Sequence, residues 1–224
     1  MKLKLFFCTP LIFSLISCKT IEVLEELKKD NVDVKTFTIQ NKVIKFIPMH
    51  HLGKIEFYDD LKKNIQDFKK IGYKVYYEKV ISDFSGDSLQ IDIIKRKFRK
   101  IKGFEGTYED IAKGTFLEKY INQPSYENLG VTKEDLNADV TYLDFVNEWE
   151  KEFGTVNLDS IDLKTNFNSN YKRRYKHSKN MFYKIAIEFR NTYIVNLIKS
   201  SNDEKILVIY GKGHLKDFEK RIKL

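Results

Sequence analysis

The chain has 224 residues, 42% of them hydrophobic, and a formal net charge of +8, enough length and apolar content for one sizeable core. Its two cysteines, Cys8 and Cys18, both fall near the N-terminus. The rest of the chain therefore has no thiol for a disulfide, a thiolate metal site or a cysteine nucleophile.

Residues 1–18 read as an export leader. Lys2 and Lys4 give a positive start, residues 5–15 an apolar stretch, and Leu15-Ile16-Ser17-Cys18 its end. The apolar run is shorter than the roughly 20 residues that a membrane-spanning helix needs, and charge, apolar core and small residue follow the secretory pattern. The ending resembles a bacterial lipobox, which implies cleavage before Cys18 and a lipid on its sulfur. The expected organisation is a leader over 1–17, a tether over 18–34 and one domain over 35–224, held in the cell envelope, facing the periplasm or the cell surface.

Within that domain, Lys35-Thr-Phe-Thr-Ile-Gln40 alternates like a half-buried strand. Asn41-Lys42 then turns the chain into a second strand over 43–47, predicting a hairpin. The second strand runs into Pro48-Met49-His50-His51, and proline suits the end of a strand because it has no N–H to donate. Leu61, Ile65, Phe68 and Ile71 share one face of a helix over 58–71, closed by Gly72. Residues 74–78 form a strand ending on Glu78. Helices are expected over 88–102, capped by Asp87, and over 108–120. Thr132-Lys-Glu-Asp135 resembles a capping box before a short helix. Residues 139–141 read as briefly extended, 143–153 as helix and 157–170 as loop. A long helix over 179–200, with Phe182, Ile185, Phe189, Tyr193 and Leu197 as its apolar stripe, leads into a buried strand from Lys205 to Tyr210. That strand stops at Gly211-Lys212-Gly213-His214, and Leu215, Phe218 and Ile222 mark a final helix. No stretch is rich enough in proline or serine to link two domains. These elements predict an α/β fold: one central mixed sheet flanked by helices, with a helical insert in the middle.

The basic runs at 95–100 and 172–176 carry interleaved aromatics, a pattern that can bind nucleic acid. Leu89, Ile93, Ile94, Phe98 and Ile101 recur at helical spacing around the first run, so it reads as the wet face of an amphipathic helix, able to rest on anionic headgroups. No nucleic-acid partner is expected.

Histidine is scarce, with four in all. His177 lies in a basic loop and is not a candidate. His50-His51 and His214 end the two most apolar strands, and Glu78 ends a third. In open α/β sheets ligands bind where strands give way to helices. Imidazole and carboxylate are what Zn²⁺, Mn²⁺ or Fe²⁺ accept where no thiolate is present. Such an ion would activate water beside a carboxylate base. Arg190, from the helix preceding the last strand, can hold a substrate carboxylate or oxyanion.

These positions together resemble the TraB/PrgY/GumN superfamily, which includes the TIKI proteins. Its pattern is a strand ending in G-x-x-H, a tyrosine beginning the next helix, a strand ending in glutamate, an Arg-Asn or Arg-Asp helix, and a strand closing on G-x-G-H. Here it falls on Pro48-Met49-His50-His51, Tyr58, Glu78, Arg190-Asn191 and Gly211-Lys212-Gly213-His214. Proline stands where glycine is usual, and either His50 or His51 can face the site, with register favouring His51. The resemblance implies a mixed-sheet α/β fold and, for the TIKI branch, metal-dependent proteolysis. The expected site has His51, His214 and Glu78 on a divalent ion (Mn, Zn or Fe), with Glu78 and Arg190 catalytic. His50, Tyr58, Asn191, Gly211 and Gly213 contribute to binding. Arg190 is expected to bind or orient without supporting the core.

Three function classes follow: a metal-dependent hydrolase, read as a peptidase acting on a peptide or protein; a non-catalytic envelope lipoprotein that binds a metal ion or haem; and an interaction protein that keeps the motif for its fold. The anchor can be tested alone. Cys18→Ala should move the protein from the membrane to the soluble fraction of fractionated cells; unchanged membrane association would remove the lipid assignment.

Overall fold

The protein is described from a computed structural model, over residues 25–82, 87–103, 113–115, 117–166, 171 and 177–223. The leader with Cys18, the start of the tether and the basic run at 172–176 lie outside these residues. Among them no helix is long and apolar enough to cross a membrane.

The chain is α/β. Five strands form one mixed sheet: β1 (Lys35–Ile39), β2 (Lys42–Met49), β4 (Lys74–Tyr77), β6 (Leu136–Asn137) and β7 (Lys205–Gly211). They lie in the order β1-β2-β7-β4-β6. The β1–β2 hairpin is antiparallel as expected, while β2, β7, β4 and β6 run parallel. The last strand in sequence thus lies between β2 and β4, and the carboxyl ends of all three share one edge. A strand covered on both faces reads as an unbroken apolar run, and Ile206 through Gly211 are all buried.

Alternation along these strands feeds two cores. Leu207 and Ile209 join Ile47, Met49 and Val75 beneath Phe57, Tyr58, Leu61 and Ile65 of α1 (Ile55–Lys70). Ile206, Val208 and Tyr210 pack on the other face with Ile194, Val195 and Ile198 of α6 (Arg190–Ser200) and Phe218 of α7 (Leu215–Ile222). Helix α1 begins three residues before the expected Tyr58. Its end is as expected: Gly72, at φ +87°, takes the left-handed conformation that glycine tolerates.

The middle of the chain builds a third core from α2 (Ser88–Lys102), α3 (Tyr142–Phe153) and the start of the long C-terminal helix, centred on Trp149. Asp87 caps α2 as predicted, and Thr141 caps α3 in a reciprocal box with Asp144. Other expectations fail. No helix follows Thr132: the Asp135 carboxylate accepts from the Thr132 N–H and hydroxyl, making a turn that delivers Leu136–Asn137 to the sheet. Of the helix expected over 108–120, residues 113–115 and 117–120 are turns and bends, and the remainder lies outside the described residues. The loop expected over 157–170 contains a short helix, α4 (Ser160–Lys164), boxed by Asp159 and Asp162. A two-stranded ribbon of β3 (Leu52–Gly53) and β5 (Ile121–Asn122) has no signal in the sequence.

The basic run at 95–100 is not a solvated face. Arg99 is fully buried, and its guanidinium donates to the carbonyls of Asp162, Thr165 and Asn166. Arg96 donates to those of Asp162 and Thr165. The last turn of a helix leaves carbonyls without intrahelical partners, and these two arginines supply donors to α4. The apolar stripe expected on α2 holds for Ile94, Phe98 and Ile101, whereas Leu89 is largely exposed.

The helix expected over 179–200 is composite: α5 (Lys179–Tyr183), a π-helical turn (Lys184–Phe189) and α6. Its expected stripe holds before Arg190, where Ile185 is buried and Phe182 and Phe189 pack against the Trp149 core. It shifts after that point: Arg190, Asn191, Ile194, Val195 and Ile198 face inward, Leu197 is partly buried and Tyr193 is exposed.

Candidate active site at the carboxyl edge of the sheet

Three parallel strands bring their ends to one edge, and Glu78 sits one residue beyond β4. Its N–H donates to the carbonyl of Ile209 on β7 (3.1 Å), so the sheet itself fixes where the side chain departs. One carboxylate oxygen accepts from the Gly211 N–H. The other meets Arg190 Nη2 at 2.5 Å and His214 Nε2 at 3.5 Å. Gly211 has a steric reason to be glycine, since a Cβ there would lie 3.1 Å from Glu78 Oε2, closer than most such contacts.

Arg190 opens α6 directly after the π turn. Its guanidinium is gripped side-on by Asp139, with Nε 2.8 Å from Oδ1 and Nη2 2.5 Å from Oδ2, the fork-to-fork geometry that favours arginine. Asp139 is fully buried at its side chain and Arg190 is 11% exposed there. Nη1 is left with longer contacts, 3.3 Å to the carbonyl of Ala186 and 3.3 Å to His214 Nε2. His214, in the 3₁₀ turn Lys212–His214 after β7, is buried, with its ring edge-on to Tyr210. Its Nδ1 lies 2.8 Å from Asn191 Oδ1.

Two carboxylates therefore share one guanidinium. Burial opposes the ionisation of Glu78, but Arg190, His214 and the Gly211 N–H together hold its carboxyl well below the usual range. Burial likewise disfavours charge on Arg190, and Glu78 and Asp139 override it, raising the guanidinium further. Tyr126 and Tyr210 border the cluster, and burial, reinforced by the nearby carboxylates, pushes both hydroxyls well above the ordinary tyrosine value. They stay neutral phenols, and Tyr210 donates to the carbonyl of Ala138 (2.7 Å).

The structure thus brings together Glu78, Arg190, Asn191, Gly211 and His214. His51 does not join them as a third ligand, and among the described residues no group of three His, Cys, Asp or Glu side chains is placed to hold a metal ion. Chain direction explains this. After β2 the backbone enters the β3–β5 ribbon, which draws exposed His51 to Gln123: its Nδ1 is 3.0 Å from Gln123 Oε1, and its carbonyl accepts from the Gln123 N–H. His50 turns elsewhere, against the Phe57 ring and 3.5 Å from Glu26. The Tyr58 hydroxyl donates to the carbonyl of His50 (3.0 Å), pinning the connection into α1. Gly213 is exposed, and a Cβ there would make ordinary contact with Ile187.

The fit of a metal can be judged from the same distances. Glu78 Oε1 and His214 Nε2 are 3.5 Å apart, a separation two ligands about 2 Å from one tetrahedral ion would have. The guanidinium of Arg190 already lies against both atoms, and a divalent cation there would meet a buried positive charge. In this arrangement the residues do not fit a resident divalent ion.

Asp139 is the member of this cluster that the sequence did not reveal. It follows β6, whose pairing with β4 places it at the same edge, and a two-residue strand carries almost no pattern. Compared with family models, curated proteins and solved structures, the chain matches none.

The burial of Arg190 overturns the expectation that it is dispensable for stability. Arg190→Ala would leave Glu78 and Asp139 uncompensated, and removing one partner of a buried pair costs about 3–5 kcal/mol. Chemical denaturation should show a loss of that size; a change under about 1 kcal/mol would contradict it. A pH dependence follows from Glu78. Its carboxyl is lowered from the ordinary 4.5, so its contribution to stability is complete above that value and is lost as pH falls toward the folded-state pKa. Glu78→Gln should flatten the acid limb of the stability–pH curve relative to wild type; an unaltered limb would show that Glu78 does not control it.

Proposed function

We propose that the chain is a hydrolase of peptide or related acyl bonds, with His214 as its proton-transferring group. The observation that carries this reading is the approach of His214 Nε2 to Glu78 Oε1, 3.5 Å, beside a buried arginine at the carboxyl edge of parallel strands. That edge is where open α/β sheets take their ligands. The motif resemblance to the TIKI branch supports peptide as the substrate class.

Each group has a defined part. Glu78, held ionised, is a poor base and a good partner for a cation. His214 Nε2 takes a proton from the attacking water as the water oxygen bonds to the acyl carbon, and the imidazolium so formed faces the Glu78 carboxylate. Nη1 of Arg190, bound only by long contacts, donates to the oxygen that gains negative charge. The proton on His214 then passes to the leaving amine as the C–N bond breaks. His51 and Gln123 stand at the rim, where they meet the substrate. Export and lipidation at Cys18 set this chemistry in the cell envelope.

The 3.5 Å ligand-like separation favours a second reading, in which Mn, Zn or Fe binds after Arg190 withdraws. One assay separates the two. The purified full chain is incubated with a peptide library, in chelator and with each metal added, and products are identified by mass spectrometry. Cleavage should persist in chelator and fall about 10²–10⁴-fold in His214→Ala. Cleavage that appears only with added metal would replace the metal-free scheme. Tight binding of a metal ion or haem without turnover would support the non-catalytic alternative.

A further inference from the structure

The contacts around Asn191 go beyond holding helix α6 to α7. Its Nδ2 lies 3.0 Å from the carbonyl of His214 and 2.9 Å from Asp217 Oδ2, and the residue is fully buried. A backbone carbonyl accepts only, and so does a carboxylate paired with a cation, as Asp217 is with Arg221 Nε at 2.5 Å. Only the amide nitrogen of Asn191 can face both. Turning the amide over would set its oxygen against two acceptors in a buried site, neither of which can donate to it. The amide orientation is therefore determined, and its oxygen must be the atom 2.8 Å from His214 Nδ1. That oxygen is an acceptor, so Nδ1 must carry a hydrogen.

We propose that Asn191, locked by Asp217, is a positioning residue that holds neutral His214 in its Nδ1–H tautomer, so that Nε2 presents a bare lone pair to the site. The far side of the ring agrees independently. Nη1 of Arg190, which can only donate, lies 3.3 Å from Nε2, and a bare nitrogen is what that donor requires. Glu78 Oε1, which only accepts, lies slightly farther at 3.5 Å and gains a hydrogen from Nε2 only when the ring becomes cationic. The imidazole thus has one partner ready for each state: Arg190 when neutral, Glu78 when protonated. Fixing one ring nitrogen so that the other can act is a recognised use of a supporting hydrogen bond.

The tautomer stands on geometry alone; its consequence for rate rests on the hydrolase reading, and the experiment keeps them apart. The full chain is labelled with ¹⁵N-histidine, and long-range ¹H–¹⁵N correlations are recorded at a pH where the rings are neutral. His214 is assigned by its absence in His214→Gln. The expected wild-type pattern is a protonated, pyrrole-type Nδ1 and a bare, pyridine-type Nε2. Asn191→Leu removes the acceptor and should give mixed tautomers or Nε2–H, while Asn191→Asp keeps an acceptor and should retain Nδ1–H. A wild-type Nε2–H tautomer would overturn the proposal, even if Asn191→Leu fails to fold. So would a folded Asn191→Leu variant with unchanged Nδ1–H. With activity in hand, kcat should fall about 10–100-fold in Asn191→Leu. A confirmed tautomer with unaltered turnover would count against the hydrolase reading and leave the tautomer assignment standing.

Discussion

A guanidinium stripped of water needs opposite charge close by, and in this protein that requirement ties the sheet to its helices. Arg190 is buried at the start of α6 and draws Glu78 from the end of β4 and Asp139 from the segment after β6. Coulombic attraction strengthens as water is excluded, but so does the cost of any mismatch. The two carboxylates must reach one cation from different strands, so β4 and β6 have to stay in parallel register. Glu78 is also held through the Gly211 N–H to β7, the strand whose loop carries His214. One ion-pair network thereby fixes the relative positions of the groups to which we assign chemistry.

The sheet order serves that network. Inserting the last strand between β2 and β4 buries β7 on both faces and puts His214 beside Glu78 instead of at a sheet margin. It also makes the site depend on contacts distant in sequence, since Glu78, Asp139, Arg190 and His214 meet only when the C-terminal strand is in place. Helices α2, α3 and α5 belong to a separate core around Trp149, which joins the site through the π turn before Arg190.

Much of the architecture was legible in the sequence because strong patterns decide strong elements. The hairpin, α1, the capped α2 and the unbroken run of β7 follow from periodicity, turn chemistry and capping. The convergence of Glu78, Arg190 and His214 followed from placing scarce polar residues at strand ends. What escaped has physical causes. Two-residue strands such as β3, β5 and β6 have no period to read, so Asp139 and the diversion of His51 were hidden with them. The Thr132–Asp135 hydrogen bonds satisfy the same groups in a turn as in a helix start, and pairing of Leu136–Asn137 with β4 decided the outcome. Arg96 and Arg99 were assigned to solvent because charge ordinarily seeks it, and Arg190 to a ligand; carbonyls at a helix end and paired carboxylates took those places.

The π turn at Lys184–Phe189 also accounts for the change of buried stripe partway along the long helix. An α-helix advances about 100° per residue, and a π turn holds extra chain within one turn, so the halves on either side are out of phase. Ile185 and Ala186 face the Trp149 core, whereas Ile194, Val195 and Ile198 face the sheet. A continuous α-helix could not point both stripes at these two bodies without twisting one off its partner. The turn behaves as a phase shifter within a single rod, and it sets the azimuth at which Arg190 enters the sheet edge. A single-residue deletion between 184 and 189 would therefore act as a rotation: the helix could remain a helix, yet its guanidinium would be aimed at another part of the molecule.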